Sequence, residues 1–279
     1  MCVSRASSVL ACLAACLCAN AGAALAQARK PRLTIEPVVL DASESGGATL
    51  GLQWQVKDSI VDTGLGKGGK GDSFGDVEKL VIRSFLVDYK LSGTATAAKE
   101  RNPKNFLDAL LDAKFEYSRS GLGAAGGVFG KYESDQSFDN KQAVYGLRGT
   151  VLKLGLIQEL DVIALDANYG QVDPSKDEAR QAALGASRLE NYYRWDFEFL
   201  YSYPLGPAKP ITAVEFNYRF FREQSAPPEI EQAGLARQRL GTLRLGLKND
   251  LFIAYSHGKL PFDRQSDRIF EIGWSNNLK

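Results

Sequence analysis

Hydrophobic and polar residues alternate with a period of two along most of the chain from residue 32 onward. The clearest example is the stretch 193–203, in which one phase is aromatic: Tyr193, Trp195, Phe197, Phe199, Tyr201 and Tyr203. The other phase is mostly charged: Arg194, Asp196, Glu198 and Ser202. A period of two places successive side chains on opposite faces of a strand. The pattern therefore predicts β-strands with one apolar face and one polar face.

The alternation recurs often enough to predict twelve strands. We expect them at 32–40, 48–57, 79–91, 105–119, 122–133, 142–153, 157–169, 190–203, 210–222, 236–248, 250–258 and 267–278. The apolar spacing of 105–113 also fits a helix, but the alternation continues through Phe115 and Tyr117, which favours a strand. No second domain and no internal repeat are indicated.

Short and long connections alternate between the predicted strands. The short ones are 120–121, 154–156, 204–209 and Asn249, and the long ones are 92–104, 134–141, 170–189, 223–235 and 259–266. This order predicts an up-and-down sheet with all short turns at one end. The glycine-rich segment 58–78 is long where a short turn is expected, which leaves open that the first two strands are misassigned.

Two of the longer connections carry local signals. Ser175 followed by Glu178 has the spacing of a helix N-cap, so we expect a short helix within 170–189. The segment 64–71 resembles a phosphate-binding loop superficially, but it lacks the terminal Lys-Ser/Thr and the flanking strand and helix. We expect a flexible loop there.

The first residues have the features of a secretory signal peptide. Arg5 precedes an apolar stretch that ends in Ala24-Leu25-Ala26, which predicts cleavage after residue 26 and a folded domain over 27–279. The stretch Leu13–Cys16 also fits a lipobox, in which Cys16 would be acylated. All four cysteines lie between positions 2 and 18, so the expected mature chain has no thiol for a disulfide.

Charge and hydropathy exclude two classes of protein. The chain has 34 Lys and Arg against 33 Asp and Glu, and removing Arg5 with the leader leaves 33 against 33. A balanced charge argues against a nucleic-acid partner. After the leader no apolar run reaches the length of a membrane helix. No spacing typical of a metal site or a cofactor motif occurs, so none is expected.

The aromatic residues favour a membrane barrel over a soluble sandwich. They cluster toward predicted strand ends: Tyr192, Tyr193, Trp195, Tyr201, Tyr203, Tyr218 and Trp274. Amphipathic rings prefer the headgroup level on both sides of a bilayer. A sheet survives in lipid only when it is closed. The predicted fold is therefore all-β, a single antiparallel up-and-down transmembrane barrel of about twelve strands.

At the level of pattern, the whole expected mature chain resembles the bacterial outer-membrane β-barrel superfamily. The last strand, residues 268–279, looks like the assembly signal of that superfamily: Phe270, Ile272, Trp274 and Leu278 share one phase and Gly273 takes the glycine position. It departs by ending in Lys279 and by placing Asn276 on the lipid-facing phase. The resemblance implies the outer membrane, contact with its lipids, and recognition by the barrel assembly machinery. It also implies a porin-like or structural role, including passive passage of small solutes.

The polar phase of the strands supplies the candidate site. We expect seven charged residues to line the lumen: Arg194, Asp196, Glu198, Glu215, Arg219, Arg244 and Glu271. The same phase includes further charges, such as Lys248. Both signs are mixed, unlike the ring of one sign that lines a selective pore. The pattern predicts paired networks, such as Arg194 with Glu215 and Glu198 with Arg219, and leaves open whether they serve transport or only structure.

Two other functions remain as alternatives. His257 is the only histidine and follows Ser256, so an outer-membrane lipid acyl hydrolase is the enzyme hypothesis. However, the His-x-Ser-Asn order of such enzymes is absent, and adjacent strand residues point to opposite faces. The third hypothesis is a soluble periplasmic barrel that binds a ligand in its interior.

Overall fold

The computed structural model describes residues 31–42, 47–64, 81–97, 104–158, 160–186, 188–263 and 266–278. The expected signal peptide and nearly all of the glycine-rich segment 64–71 lie outside the described residues, as does Lys279.

The described chain is almost entirely extended. Its strands are β1 (Arg32–Ala42), β2 (Gly47–Gly64), β3 (Val81–Thr96), β4 (Leu107–Arg119), β5 (Leu122–Ser134), β6 (Lys141–Leu154), β7 (Val162–Lys176), β8 (Tyr192–Pro204), β9 (Ile211–Glu223), β10 (Arg237–Leu247), β11 (Leu251–Lys259), β12 (Asp267–Trp274) and β13 (Asn276–Leu278). Two short helices, α1 (Glu178–Leu184) and α2 (Pro228–Gln232), lie between strands, and residues Lys248–Asp250 form a 3₁₀ turn.

The sheet closes on itself. Each strand from β1 to β12 pairs antiparallel with the next, and both β12 and β13 pair with β1. Val38 lies opposite Gly273 and Ile35 lies opposite Asn276, so β12 and β13 keep one register across Ser275. They are one strand with an interruption, and the fold is a closed barrel of twelve strands, as the alternation predicts.

The two ends of the barrel differ in their connections. The end that holds the start of β1 and the end of β13 carries the connections 120–121, 155–161, 205–210 and 248–250, and we call it the turn end. The opposite end, here the loop end, carries 97–106, 135–140, 177–191, 224–236 and 260–266. The predicted segregation of short turns from long loops is confirmed only in part. Connection 155–161 at the turn end has seven residues and 135–140 at the loop end has six, and the link between β2 and β3 at the turn end, 65–80, has sixteen.

Three strands run further than the sequence predicts by five or more residues, and one of them is β3, which ends at Thr96 rather than at residue 91. β2 continues to Gly64, and its pairing with β3 passes an irregularity at Ile60 and ends with Gly64 opposite Ser84. The predicted loop 58–78 therefore begins later than expected, and the assignment of the first two strands is correct. β7 covers 162–176 rather than 157–169, because residues 155–161 form a turn around Asp161. The Asp161 carboxylate accepts the backbone N–H groups of Leu156 at 2.6 Å and Ile157 at 2.8 Å.

The loop helix after β7 begins two residues later than predicted. Ser175 still belongs to β7, and the N-cap of α1 is Asp177, whose side chain accepts the N–H of Arg180 at 2.9 Å. Gly185 ends the helix in the left-handed region, at φ 61°, which glycine adopts without steric cost.

The barrel turns apolar side chains outward and a mixed lining inward. Three small apolar clusters occupy parts of the interior, around Leu40 and Phe252, around Phe129 and Val144, and around Phe106 and Leu240. The rest of the buried lining is largely polar or charged. None of the helices in the described ranges is both long enough and apolar enough to cross a membrane.

Candidate functional site

The interior of the barrel brings the predicted lumen residues together. All seven lie on the inward phase of their strands, since each alternates with outward neighbours in a regular register. Arg194 and Glu271 are buried almost completely, at 3% and 1% exposure, whereas Glu215 and Arg244 line a cavity of about 420 Å³. Whether these side chains meet a solute stays a prediction.

A closed network of four charges surrounds Arg194. Its guanidinium donates two bonds to Glu133, at 3.0 and 2.7 Å, and two to Asp196, at 2.5 and 2.9 Å. Lys131 completes the square, with its Nζ 2.5 Å from Glu133 and 3.1 Å from Asp196. Gln142 donates to Glu133 at 2.6 Å. Two cations and two carboxylates thus neutralise each other and fasten β5 to β8 across three strand boundaries.

The predicted pairing of Arg194 with Glu215 is wrong. Arg194 lies opposite Glu223 on β9, because the turn 205–210 sets a register eight residues away from Glu215. Glu215 lies instead opposite Arg244 on β10, with a nitrogen-to-oxygen distance of 3.8 Å.

The second predicted pair has the expected register without an ion pair. Glu198 and Arg219 are cross-strand partners, but Glu198 accepts a hydrogen bond from Asn217 at 2.8 Å. The Arg219 guanidinium lies 5.3 Å from the ring centres of both Phe106 and Phe221, where the ring faces attract a cation.

Lys248 does not belong to the lining. It lies exposed in the 3₁₀ turn between β10 and β11, because β10 ends one residue before it.

A second network runs across β3, β4, β6 and β7. Lys114 bridges Asp88 at 2.6 Å and Asp112 at 3.2 Å, although the two aspartates are direct cross-strand partners. Arg148 contacts Asp166 at 3.0 Å and Asp112 at 3.7 Å. The carboxylates on this side of the lumen are therefore already compensated by cations.

Two further contacts connect distant strands through the lumen. Glu271 on β12 accepts a hydrogen bond from Gln53 on β2 at 2.7 Å and pairs with Lys104, which precedes β4. Arg244 on β10 donates two bonds to Glu36 on β1, at 3.2 and 2.8 Å. Lys104 lies in a predicted loop, where the alternation carries no information, so the sequence could not indicate it.

The loop end is partly closed by an apolar cluster and an ion pair. Phe106, Phe221, Leu240 and Leu260 are buried together, and Phe262 packs against them. Beside them, α1 directs Arg180 into the mouth, where it donates two bonds of 2.7 Å to Glu223.

Cavities remain between these groups. One of about 420 Å³ is lined by Gln53, Glu198, Asn217 and Arg244 among others, and a second of about 340 Å³ lies against β2, β3 and β4. A narrow cavity of about 60 Å³ shares lining residues with each of them, Arg219 with the first and Lys90 with the second. The polar space is thus arranged in series along the lumen.

Three cations on adjacent strands line the second cavity, and we call them the basic triad: Arg32, Lys57 and Lys90. Arg32 lies directly opposite Lys57, and Lys57 lies directly opposite Lys90. Like charges in such positions repel each other. Within the described part of the chain, none of the three has a carboxylate within 4 Å. The alternation of the strands shows which charges face inward, but the triad depends on the register between strands, which the alternation does not give.

Comparison with solved structures places this fold among known barrels. The NanC porin superposes with a TM-score of 0.50 at 9% identity, covering 88% of this chain and all of that one. This chain has the fold of an outer-membrane porin. Two weaker matches are the KdgM porin and a BenF-like porin from Pseudomonas fluorescens. The KdgM porin has a TM-score of 0.37 and 10% identity, and the match covers 86% of this chain and 98% of that one. The BenF-like porin has a TM-score of 0.36 and 8% identity, and the match covers 89% of this chain and 98% of that one. No family model and no curated protein sequence matches the chain.

In this porin fold Ser256 and His257 point in opposite directions. Ser256 is fully buried in the lining and contacts Thr242 at 2.9 Å and Glu271 at 3.3 Å. His257 is exposed on the outer surface, with its Nδ1 3.2 Å from the Asp267 carbonyl oxygen. The two side chains cannot act as a nucleophile and its base in this arrangement. Among the described residues no group of three His, Cys, Asp or Glu side chains is placed to hold a metal ion.

Proposed function

We propose that the protein is a porin-like barrel of the bacterial outer membrane that lets small polar solutes diffuse passively and favours anions. The observation that carries this proposal is a closed barrel with an apolar exterior and polar cavities in series within it.

The exterior supports insertion in a membrane over a soluble barrel. Leu50, Phe115 and Leu147 point outward from β2, β4 and β6 and are 68%, 64% and 63% exposed. An exposed apolar surface of this kind is costly in water and favourable against acyl chains. A closed sheet also leaves no unpaired edge in lipid. The structural similarity to outer-membrane porins supports the same location.

The basic triad supports a preference for anions. The carboxylates that line its cavity are Asp58, Asp88 and Asp112, and Lys114 already bridges the last two. Five cations line the same cavity, so the lining keeps an excess of two positive charges, to which Arg32, Lys57 and Lys90 contribute. Charges that line a narrow path set its ion selectivity.

The hydrolase hypothesis lacks a specific observation in its favour. His257 faces outward and Ser256 inward, so no activated nucleophile is formed.

Conductance in a planar bilayer tests the pore. We expect discrete current steps when the purified full-length protein is added, with a reversal potential in a salt gradient that indicates anion preference. A flat trace over many insertions, verified by heat-modifiable migration of the recovered protein, would contradict the proposal.

Charge reversal tests the selectivity separately. The variant Lys57→Glu/Lys90→Glu should move the reversal potential toward cation preference, because it replaces two cations of the triad with two acids. Arg119→Glu/Lys153→Glu, which reverses two outward cations on β4 and β6, is the matched control and should leave the potential unchanged. An identical potential for both variants would contradict the role of the triad.

A further inference from the structure

The outer surface of the barrel carries a cluster of basic side chains at the loop end of β9 to β12. We call it the outer basic patch: Arg222, Arg237, Arg239, His257, Lys259 and Arg268. All six lie on the outward phase, and all but the partly buried Lys259 are exposed. They do not belong to the lumen described above.

The strand register brings these residues together in pairs. Arg222 is the direct partner of Arg237, Arg239 of Lys259, and His257 of Arg268. Three neighbouring cross-strand positions thus hold basic residues on both strands. Like charges directly opposite each other destabilise a sheet. Such an arrangement is favourable only when an external anion compensates it.

Among the described residues, no carboxylate lies within 4 Å of the charged group of any of the six side chains. Asp263 attracts Lys259 over a longer distance, and the Asp267 carboxylate accepts the backbone N–H of Arg268, at 2.6 Å. Lys259 donates to the carbonyl of Gly234 at 2.9 Å, and His257 contacts the carbonyl of Asp267. Elsewhere on the outward phase near the loop end, β1 and β7 present acids, Asp41 and Asp173. Lys141 on β6 is a further outward cation at this end, so the positive charge is concentrated on β9 to β12 but not confined to them.

Apolar side chains continue the same outward rows toward the turn end. Below the basic residues lie Tyr218 on β9, Leu243 on β10, Tyr255 on β11 and Phe270 on β12. The last three are exposed. A ligand that covers both parts needs negatively charged groups joined directly to acyl chains.

We propose that the outer basic patch binds the phosphate groups of an acylated lipid in the leaflet at the loop end, while the aromatic and aliphatic rows below it contact the acyl chains. Arginine guanidinium groups bind phosphate through two parallel hydrogen bonds, and four of the six residues are arginines. Several cations spread over four strands fit a lipid with more than one phosphate better than a single phosphate ion.

The binding test uses the full-length protein in a non-ionic detergent with three lipids, which are diphosphoryl lipid A, monophosphoryl lipid A and phosphatidylcholine. Binding is measured by native mass spectrometry at increasing salt. We expect affinity to fall in that order of lipids and to fall with added salt, because the attraction is electrostatic. Equal binding of all three lipids, or binding independent of salt, would overturn the proposal without any variant.

A pair of variants locates the site. Arg222→Gln/Arg239→Gln/Arg268→Gln should weaken binding of diphosphoryl lipid A by about tenfold or more, since each basic residue near a membrane surface adds to anionic lipid binding. The matched control is Arg83→Gln/Arg119→Gln/Lys153→Gln, which removes three outward cations at the turn end. Equal affinities for the two variants would place the lipid elsewhere and overturn the proposal.

Inorganic phosphate separates the two sources of this anion. We expect millimolar phosphate to leave the bound lipid in place, because the acyl contacts are absent from the free ion. Displacement by phosphate alone would show a simple anion site and contradict a lipid site. Both outcomes are independent of pore activity, so failure of the conductance experiment would leave this inference standing.

Discussion

Each deeply buried charge at the centre of the lining has an opposite charge in contact. Glu133 is completely buried, and both of its oxygens accept from Arg194. A buried pair of this kind adds little stability over an apolar pair, but the loss of one partner leaves an uncompensated charge. The position of Arg194 thus matters more for the integrity of the barrel than for contact with a solute.

Replacement of Arg194 by methionine should destabilise the barrel by about 3–5 kcal/mol, because Glu133 and Asp196 would share Lys131 as their one cationic partner among the described residues. The measurement is denaturant unfolding in detergent, followed by heat-modifiable migration. Lys248→Gln removes an exposed cation in a turn and is the control. If both variants unfold at the same denaturant concentration, the network does not stabilise the fold.

The sequence predicts which face of the barrel each strand residue lies on, but it predicts cross-strand partners only in part: Glu198 lies opposite Arg219 as expected, whereas Arg194 does not lie opposite Glu215. The phase of Arg194 follows from its aromatic neighbours Tyr193 and Trp195, and the structure places it inward. Its partner Glu133 lies three strands away, and the register that brings them together depends on every intervening turn. A single sequence does not show how the registers of several successive strand pairs combine, which explains the wrong pairing of Arg194 with Glu215.

Strands and loops differ in how closely the sequence determines them. Alternation located the cores of the strands, but apolar residues also occur in turns. Ile157 looks like a strand residue and lies exposed in the turn around Asp161. The carboxylate of Asp161 is buried, which alone would raise its pKa, yet backbone N–H groups of Ile157 and Leu156 and the Tyr201 hydroxyl lower it. Hydrogen bonds to one aspartate therefore override the apolar pattern.

Glycine determines how closely β6 and β7 approach. A Cβ atom on Gly146 would lie 2.1 Å from the carbonyl oxygen of Tyr169, whereas one on Gly149 would meet nothing within 4 Å. Gly146→Ala should therefore cost about 1–3 kcal/mol, because backbone must move to admit the methyl group. Gly149→Ala should be neutral. Denaturant unfolding of the two variants checks this, and equal stability would mean that the strands separate easily here.

The loop between β11 and β12 contains a titratable group near the mouth. Burial raises the pKa of Asp263 to about 7, and its carboxylate accepts the N–H of Leu260 at 2.7 Å. The negative charge of Asp267 also raises the pKa of Asp263, whereas the positive charge of Lys259 lowers it. An unfolded aspartate titrates near pH 4. The folded loop therefore holds a proton more tightly between about pH 4 and pH 7, and its stability falls as the pH rises through that window.

Asp263→Asn should remove this pH dependence, because asparagine stays neutral and can still accept from Leu260. At pH 8 we expect slower amide exchange in residues 260–263 of the variant than of the natural protein, and similar exchange in both at pH 5. Asp250→Asn, in the exposed turn at the other end, is the control. The same difference between proteins at both pH values would exclude titration of Asp263 as the cause.

The whole barrel has two surfaces with opposite preferences. Every strand contributes to both through its alternation, so a single property of the sequence produces a lipid-compatible exterior and a polar lumen. The charge on each surface is not spread evenly: the basic triad lies inside toward β1 to β3, and the outer basic patch lies outside on β9 to β12. The basic triad and the outer basic patch both depend on the register between strands, so the pattern of a single strand does not predict either of them.

Labelling of single cysteines compares the two surfaces directly. Residues 27–279 contain no cysteine, so each introduced thiol would be unique in the chain that the expected cleavage after residue 26 leaves. In intact cells, a small water-soluble maleimide should label Glu215→Cys, which lines the cavity of about 420 Å³, much faster than Phe216→Cys on the outer face of the same strand. The Asp196→Cys and Phe197→Cys pair on β8 repeats the comparison beside the Arg194 network. In unfolded protein without detergent, all four thiols should react with the maleimide at similar rates. Equal rates at the four positions in intact cells would therefore mean that water reaches both faces of the strands and that the barrel does not lie in a membrane.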